Sequence, residues 1–204
     1  MKLYLVRHGQ TIGNVQRSLD TALPGPPLTE VGQEQANELA ERLAGEPIVA
    51  VYASEATRAQ QTAAPLAAKL GLEVEIVAGA YEVQAGVLEG LSDPASIKTY
   101  LDIVEPWTRG DLRSSMPDGE SGESVHARMT AAATQIRAKH EQADPDGVAV
   151  LVSHGGAIRL AADWLSDNVR PEVANSALIP NTGIVALEAV PGGWHCLTWV
   201  DAPM

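Results

Sequence analysis

Short apolar runs alternate with longer amphipathic stretches along the chain. The short runs are typical of strands buried in a sheet, and the amphipathic stretches are typical of helices that pack against it. This alternation predicts an α/β fold, a three-layer α/β/α sandwich around a mostly parallel central sheet. The predicted strands are residues 3–6, 48–53, 74–77, 147–152, 184–189 and 194–200, and the predicted helices are residues 30–44, 54–70, 121–140 and a segment after residue 154 that ends near residue 166.

Residues at the helix ends set the predicted bounds of the first two helices. Thr29 and Ser54 are typical N-cap residues, because their side-chain oxygen accepts a hydrogen bond from a free N–H of the first turn. Gly71 is expected to end the second helix. Val31 belongs to the apolar face that we expect the first helix to bury, and Pro65 is expected to kink the second helix or remove one backbone bond.

Residues 79–124 follow neither pattern. This segment is rich in Gly, Pro and Asp, which predicts loops around one or two short helices. The chain contains no internal repeat, low-complexity tract or linker. We therefore expect a single domain over residues 1–204, in which residues 79–124 form a flap or lid.

The composition excludes several classes of protein. The 204 residues include 26 acidic and 14 basic side chains, a formal net charge of −12, and a protein that neutralises nucleic-acid phosphates normally has a basic face. The first apolar run ends at Arg7 and is too short for a signal peptide, and no stretch reaches the ~18 apolar residues of a membrane span. The one cysteine, Cys196, excludes an intrachain disulfide. We therefore expect a cytoplasmic protein that binds neither nucleic acid nor membranes.

The acidic side chains are concentrated in the middle of the chain. Residues 71–124 contain eleven acidic residues against Lys98, Arg109 and Arg113, so this segment accounts for −8 of the net charge. A charged stretch of this kind is most often a solvated face. If it rims a site, we expect it to disfavour polyanionic substrates and to favour small monoesters or esters with a positive group.

Two predicted strands end in a histidine followed by a glycine. The first strand leads to Arg7 and His8, and the strand at 147–152 leads to His154. In open α/β sheets the site lies beyond the carboxyl ends of the strands, so we expect the two histidines to face each other across one crevice. Arg58, in the first turn of a predicted helix, adds a guanidinium that matches phosphate oxygens. The pattern predicts a phosphate site.

Other kinds of site fit these residues less well. A zinc or iron site made of His8, His154 and a carboxylate would have Arg7 beside the cation and repel it, so we expect no metal and no cofactor. A serine hydrolase would need G-x-S-x-G at a strand-to-helix turn. The sequence around Ser121 has Glu123 in the last position and no predicted strand before it.

Several ordered motifs resemble the histidine phosphatase superfamily, which includes the cofactor-dependent phosphoglycerate mutases. The stretch Leu5-Val6-Arg7-His8-Gly9-Gln10-Thr11 resembles the family signature, and the resemblance extends over nearly the whole chain. It implies a phosphoglycerate mutase-like fold with an inserted flap. Further matches are Asn14; Leu28-Thr29 with Gly32 and Gln35-Ala36; Ser54 with Arg58, Gln61 and Thr62; Glu82 with Gly86, Glu89 and Gly90; Gly119-Glu120-Ser121 with Arg128; and Ser153-His154-Gly155-Gly156 with Ile158 and Arg159.

The resemblance implies a reaction through a phosphohistidine and a role for each matching residue. His8 would attack phosphorus as a neutral imidazole, and Glu82 would protonate the leaving group and then activate water. Arg7, Arg58 and a protonated His154 would bind the phosphoryl oxygens. The residues expected to bind the substrate are Asn14, Gln10, Thr11 and Gly155.

Two activities remain open within this family. The mutases resemble one another in a G-W-x-D-x-x-L-T stretch after the signature, whereas this chain has Arg17-Ser18-Leu19-Asp20 and seven further residues before Leu28. We therefore predict a phosphomonoester phosphatase for a small phosphorylated metabolite, with a cofactor-dependent phosphoglycerate mutase as the alternative. A non-catalytic phospho-ligand binding protein is a third interpretation, which the presence of every catalytic residue disfavours. The substrate stays open, and the chain is expected to be a monomer or homodimer.

Overall fold

A mixed β-sheet forms the middle of the molecule. The computed structural model describes residues 1–176 and 178–204. Within them the strands are β1 (Lys2–Arg7), β2 (Ile48–Ala53), β3 (Val74–Ile76), β4 (Val148–Ser153), β5 (Ile184–Val190), β6 (Gly193–Trp199) and β7 (Ala202–Pro203). They are ordered β3-β2-β4-β1-β5-β6-β7 across one sheet. Neighbours from β3 to β1 are parallel, and β5 to β7 extend the sheet with antiparallel pairs.

Helices connect these strands and cover both faces of the sheet. They are α1 (Ile12–Gln16), α2 (Glu30–Leu43), α3 (Thr57–Leu70), α4 (Pro94–Val104), α5 (Gly122–His140), α6 (Gly155–Leu165) and α7 (Pro171–Ser176), with short 3₁₀ helices at Gly86–Leu88 and Glu105–Arg109. The parallel strands are joined by helical crossovers, as parallel neighbours require.

Alternate side chains of the parallel strands enter two separate apolar cores. On one face Leu5 and Leu151 pack with α5 and α6, and on the other face Val6 and Val152 pack with α2 and α3. Both faces of these strands are therefore buried, which is why they are continuous apolar runs in the sequence. The predicted three-layer α/β/α sandwich is confirmed, and its sheet is mixed because the carboxyl-terminal hairpin adds antiparallel strands.

The predicted helix ends agree with the structure except at Ser54. Thr29 caps α2 by accepting a hydrogen bond from Gly32 N at 3.0 Å, and Gly71 ends α3 in the left-handed conformation at φ 68°. The prediction that Ser54 caps the next helix is wrong, since α3 begins at Thr57 after an Ala56 cap. The expected burial of Val31 is also wrong, because its side chain points outward from α2 and is exposed.

The segment 79–124 contains loops, α4 and both 3₁₀ helices. Its acidic surface has few cations to balance it. Lys98, Arg109 and Arg113 each pair with an acidic residue of the same segment, namely Asp102, Glu105 and Asp111. Over the described part of the chain, no helix is both long enough and apolar enough to cross a membrane.

Candidate active site

The parallel strands β1 and β4 end side by side, and this brings two histidines together. Arg7 at the end of β1 lies opposite Ser153 at the end of β4. Each of these residues is followed directly by a histidine, His8 or His154. The rings of His8 and His154 have centroids 5.1 Å apart, and both side chains are buried. The two rings therefore share one pocket at the carboxyl edge of the sheet, as the sequence predicts.

His8 is held as a neutral imidazole whose Nε2 carries no hydrogen. Its Nδ1 lies 2.7 Å from the carbonyl oxygen of Gly9, an acceptor, so Nδ1 carries the hydrogen. Arg58 Nε donates to His8 Nε2 at 3.3 Å, so Nε2 has the lone pair. Burial, with the charges of Arg58 and Arg7, lowers the pKa of His8 to about 3. An uncharged Nε2 at neutral pH is the state that a nucleophile needs.

Arg58 reaches His8 from the first turn of α3. Its side chain is buried, and Nη2 donates to the carbonyl oxygen of Asp20 at 3.2 Å. Burial lowers the pKa of Arg58, while the carboxylates of Asp20 and Glu82 act in the opposite direction. Gly25 lies against Nη1 with φ 71°, and a Cβ there would collide with the guanidinium. The loop after α1 thus fixes the orientation of Arg58.

Arg7 approaches the same pocket from the end of β1. Its Nη1 donates to the carbonyl oxygen of Ile179, and its Nε has no partner among the described residues. Burial lowers the pKa of Arg7, and the nearby carboxylate of Glu82 opposes this effect. One edge of the guanidinium is anchored, which leaves the Nε edge to bind another group.

His154 differs from the sequence-based expectation in its charge. Burial, together with the positive charge of Arg58 and the proximity of His8, holds the pKa of His154 well below its usual value. Burial and these neighbouring groups therefore disfavour the protonated imidazole that the resemblance implies. Ser54 Oγ lies 2.8 Å from His154 Nε2 and also accepts a hydrogen bond from Ala56 N at 3.3 Å. We assign the hydroxyl hydrogen to the bond with Nε2, so that neutral His154 carries its own hydrogen on Nδ1.

Three buried nitrogen atoms around His8 lack a hydrogen-bond partner within the described ranges. They are Arg7 Nε, Arg58 Nη1 and His154 Nδ1. Each is a donor in the states given above, and a buried donor without an acceptor is costly. An oxyanion with several acceptor oxygens satisfies all three, so the pocket is built to bind a phosphoryl or similar group.

Glu82 lies at the start of α6, beside this pocket. Its two carboxyl oxygens accept hydrogen bonds from Gly156 N at 3.0 Å and Ala157 N at 2.9 Å, and Val83 N adds a third at 2.9 Å. A Cβ built on Gly156 would come within 2.7 Å of Glu82 Oε1. Glu82 therefore contacts α6 at a position where only glycine leaves room for it.

The backbone that carries Glu82 is held by Arg128 of α5. Arg128 donates to the carbonyl oxygens of Gly79, Tyr81 and Glu82 at 2.7 to 3.1 Å. It also forms an ion pair with Glu120 at 2.8 Å, and both side chains are largely buried. The Gly-Glu-Ser motif and its arginine thus act on the site through the chain that presents Glu82.

Asn14 is oriented by Asn181, a residue that the sequence analysis did not identify. Asn14 Oδ1 accepts hydrogen bonds from Thr11 N at 3.0 Å and Asn181 Nδ2 at 3.1 Å. The same Asn181 nitrogen donates to the carbonyl oxygen of His8 at 2.9 Å. Because the oxygen of Asn14 is occupied, its amide nitrogen is left for an acceptor. Asn181 lies in the loop before β5, and no local pattern marks such a contact.

The other predicted substrate-binding residues are Gln10, Thr11 and Gly155, and each has different hydrogen-bond partners. Thr11 is buried and caps α1 through Asn14 N, and Gln10 Oε1 accepts from Thr29 Oγ1 at 2.9 Å. Both side chains thus have partners within the protein. Gly155 is the first residue of α6, and its N–H has no acceptor inside the helix. Substrate contacts of all three stay predictions.

Two further residues shape the pocket in ways that the sequence does not predict. Ser54 sets the tautomer of His154, although it resembles an ordinary helix cap, and Gly25 leaves room for Arg58.

In the parts of the chain that the structure describes, no group of three or more His, Cys, Asp or Glu side chains is arranged to hold a metal ion.

The chain is similar to known proteins over almost its whole length. A probable phosphoglycerate mutase GpmB of an Enterobacter species is 33% identical over 205 residues, covering 98% of this chain and 90% of that protein. PE-PGRS family protein PE_PGRS11 of Mycobacterium tuberculosis is 35% identical over 214 residues, and the match covers 98% of this chain but 36% of that longer protein. The structure of a mycobacterial glucosyl-3-phosphoglycerate phosphatase complexed with VO3 has a TM-score of 0.83 at 28% identity, with 98% of each chain covered. The sequence profile of the histidine phosphatase superfamily (branch 1) matches residues 3–202, and the chain therefore belongs to this superfamily.

Proposed function

We propose that this protein is a phosphomonoester phosphatase that works through a phosphohistidine on His8 and acts on a small phosphorylated metabolite. The observation that carries the proposal is the set of three buried, unpartnered nitrogen donors beside a neutral His8. A phosphoryl group supplies the acceptor oxygens for these donors while its phosphorus faces Nε2. Membership of the superfamily and the similarity to a phosphatase structure support the same activity.

The first step transfers the phosphoryl group to the enzyme. The lone pair of His8 Nε2 attacks phosphorus, and the bond from phosphorus to the ester oxygen breaks. Glu82, in its protonated form, gives its proton to the departing oxygen, which leaves as an alcohol. Arg7, Arg58 and the Nδ1 hydrogen of His154 donate to the three oxygens that carry charge in the transition state.

The second step regenerates the free enzyme. The Glu82 carboxylate takes a proton from a water molecule as its oxygen attacks phosphorus. The bond from phosphorus to His8 Nε2 breaks, inorganic phosphate leaves, and Glu82 is again protonated. The hydrogen bond from His8 Nδ1 to Gly9 O keeps the imidazole in the same tautomer through both steps.

The experiment that tests this function measures hydrolysis of p-nitrophenyl phosphate without added metal. We expect turnover by the wild type and a loss on the order of 10³-fold or more in kcat/KM for His8→Ala. The matched control is His195→Ala, since His195 lies in β6 and pairs with Asp167. Equal activity of the wild type and His8→Ala would show that the proposed site is wrong.

The role of Glu82 is tested with leaving groups of different basicity. An alkyl alcohol needs a proton to leave, whereas p-nitrophenolate does not, so Glu82→Gln should lose about 10²-fold or more in kcat/KM on alkyl phosphates and much less in kcat/KM on p-nitrophenyl phosphate. Equal losses on both substrates would contradict the acid role.

A mutase is the second candidate, because several relatives bear phosphoglycerate mutase names. A mutase must return the phosphoryl group to bound product before water takes it, and this favours a closed site. Incubation with 3-phosphoglycerate separates the two activities. Release of free phosphate supports the phosphatase, and rapid formation of 2-phosphoglycerate with negligible free phosphate would replace it with the mutase.

Three finer proposals accompany this function. One is that the chain forms a single domain in which residues 79–124 act as a lid. In support of the lid, Glu89 and Leu91 of this segment accept hydrogen bonds from the backbone of residues 19–22, next to Arg58. Slower proteolysis of the segment in the presence of vanadate would support the lid, and an unchanged rate would oppose it. The others are a cytoplasmic location, supported by a single, free and buried Cys196, and a monomer or homodimer.

A further inference from the structure

Thr21 lies between the loop that orients Arg58 and the segment that carries Glu82. It is a buried residue of the loop after α1, and the proposed mechanism does not use it. Its N–H donates to the carboxyl group of Glu89 at 2.9 Å, and its hydroxyl group donates to the same carboxyl group. The hydroxyl oxygen also accepts a hydrogen bond from Ala85 N at 3.0 Å. All three bonds lead to the chain that follows Glu82.

Gln84 adds a direct link between Thr21 and Glu82. Its Nε2 donates to the carbonyl oxygen of Thr21 at 2.6 Å and to the carbonyl oxygen of Glu82 at 3.1 Å. A side-chain amide nitrogen has two hydrogens, so it can serve both acceptors at once. The same atom therefore holds one main-chain carbonyl of each segment, and it sets the position of Glu82 relative to the loop around Thr21.

This loop is joined to the phosphoryl pocket through the residues on either side of Thr21. The carbonyl oxygen of Asp20 accepts the hydrogen bond from Arg58 Nη2 at 3.2 Å. The N–H of Ala22 donates to Glu89 at 3.1 Å. Burial lowers the pKa of Arg58, and the carboxylates of Asp20, Glu82 and Glu89 oppose this effect. The bonds of Glu89 thus hold the loop whose carbonyl orients Arg58, while its charge stabilises the guanidinium.

The proposed reaction needs the two segments at a fixed separation. Glu82 gives its proton to the leaving oxygen while Arg58 binds other oxygens of the same phosphoryl group. Both groups therefore act on atoms bonded to one phosphorus, and a misplacement of about 1 Å is enough to slow such a reaction strongly. Contacts that join the segment of Glu82 to the loop of Arg58 control this separation.

We propose that Thr21 and Gln84 are positioning residues that fix the distance between the acid Glu82 and the guanidinium of Arg58. The proposal rests on the proposed phosphatase function. Gln84 acts through the backbone of Glu82, so its loss should impair proton transfer to the leaving group. Thr21 acts on both segments, so its loss should impair phosphoryl binding as well as proton transfer.

The first test uses Gln84→Met, which keeps the length of the side chain and removes the donor. We measure kcat/KM with phenyl phosphate and p-nitrophenyl phosphate, which are alike in shape and differ in the basicity of the leaving group. We expect a loss of about tenfold on phenyl phosphate and at most about threefold on p-nitrophenyl phosphate, because phenolate depends more on the proton from Glu82. In the Glu82→Gln background the same change should cost less than about twofold, since residues that act as a unit are not additive. The matched control is Gln135→Met, at an exposed position of α5.

The second test uses Thr21→Val, which keeps the shape of the side chain and removes the hydroxyl group. We expect a loss of about tenfold or more in kcat/KM on phenyl phosphate, and a rise of about three- to tenfold in the inhibition constant of vanadate, an analogue of the phosphoryl group. Thr21→Ser keeps the hydroxyl group and should restore both values to within about threefold of the wild type. The control is Thr134→Val, also exposed on α5. Gln84→Met, at a less buried position, keeps the proposal testable if Thr21→Val does not fold.

A general loss of structure would lower both activities of Gln84→Met by the same factor. The positioning role is therefore wrong if Gln84→Met keeps wild-type values, loses equally on the two substrates, or adds its full effect to that of Glu82→Gln. It is also wrong if a folded Thr21→Val keeps the wild-type value of either measurement. Absence of any His8-dependent turnover in the wild type would overturn the phosphatase function, and the positioning role with it.

Discussion

At the scale of single residues, the tautomer of His154 depends on one hydroxyl group. Ser54 directs its hydrogen to Nε2, and burial beside Arg58 and His8 keeps the ring neutral. Nδ1 then carries a hydrogen that faces the pocket. A neutral donor in this position avoids a third full positive charge next to the two guanidiniums, and it can still bind a phosphoryl oxygen.

Replacing Ser54 tests this arrangement directly. In Ser54→Ala the ring can place its hydrogen on Nε2, so part of the population loses the Nδ1 donor. We expect kcat with p-nitrophenyl phosphate to fall by about tenfold, the effect of one hydrogen bond to a developing charge. The exposed Ser92→Ala is the matched control, and a wild-type kcat in Ser54→Ala would argue against the role of the hydroxyl.

Asn181 makes a second prediction at this scale. In Asn181→Ala the carbonyl oxygen of His8 and Oδ1 of Asn14 both lose a donor, and the Asn14 amide is free to rotate. We expect KM to rise by about three- to tenfold with a smaller change in kcat, because a ground-state contact is loosened. Steady-state kinetics beside the exposed Asn37→Ala variant measures this. If kcat instead falls by a larger factor than KM rises, Asn181 acts on His8 itself.

Sequence alone predicts the residues that project from strand and helix ends, and it misses those that support them. Arg7, His8 and His154 follow apolar runs directly, so the topology of parallel strands is enough to bring them together. The contact between Asn181 and Asn14 joins positions more than 160 residues apart. Such a contact depends on the final packing of a loop, and a local pattern of residue types contains no information about it.

At the scale of elements, the first turn of α6 contacts two residues of the site, Glu82 and Arg7. The N–H groups of Gly156 and Ala157 hold the carboxyl group of Glu82, and Gly155 lies against Arg7. One rigid helix therefore sets the distance between the acid and the phosphoryl pocket. A site built on a helix is held more firmly than one built on a loop.

Gly156→Ala tests this arrangement. An added Cβ would come within 2.7 Å of Glu82 Oε1 and 3.0 Å of the Tyr100 hydroxyl, both of them side-chain ends that can move. We expect little change in thermal stability but a loss of about tenfold or more in kcat/KM on alkyl phosphates, because a displaced acid is misplaced for proton transfer. The control is Gly45→Ala, where an added Cβ meets nothing within 4 Å. Full activity of Gly156→Ala would show that Glu82 tolerates the shift.

The start of α3 shows why one element bound could not be predicted. Ser54 is a typical cap by residue type, but its hydroxyl is engaged with His154, and the helix starts three residues later. The same region shows that tertiary contacts outweigh local preference when a side chain has a partner elsewhere in the fold. By contrast, the hydroxyl group of Thr29 donates to Gln10 and its oxygen still accepts the bond from Gly32 N, so it caps α2 as predicted.

At the scale of the whole molecule, two neutral buried histidines make stability depend on pH. In the unfolded chain a histidine takes up a proton as the pH falls through about 6.5, whereas folded His8 does so only near pH 3. The stability that neutral His8 and His154 contribute is complete above pH 6.5. For His8 it is lost progressively as the pH falls from 6.5 toward 3, by up to about 1.4 kcal/mol per pH unit, and the lowered pKa of His154 adds to the loss in the same direction.

Urea unfolding at pH 7.5 and pH 5.5 measures this effect. We expect the wild type to lose more stability between these values than His8→Asn, in which one of the two histidines is absent. His195→Asn, at a half-exposed position, should retain the wild-type dependence. An identical pH dependence in His8→Asn and the wild type would contradict the depressed pKa of His8.

The order of strands has a consequence for biosynthesis. β1 is made before the other strands, yet in the sheet it lies between β4 and β5, which are made much later. Residues 179–183, just before β5, also bind Arg7, His8 and Asn14. A nascent chain that has passed His154 but not β5 contains every catalytic side chain and still lacks the neighbours that position them. Phosphatase activity should thus appear only after residues beyond 190 leave the ribosomal tunnel, so unfinished chains would not hydrolyse the cell's phosphoesters.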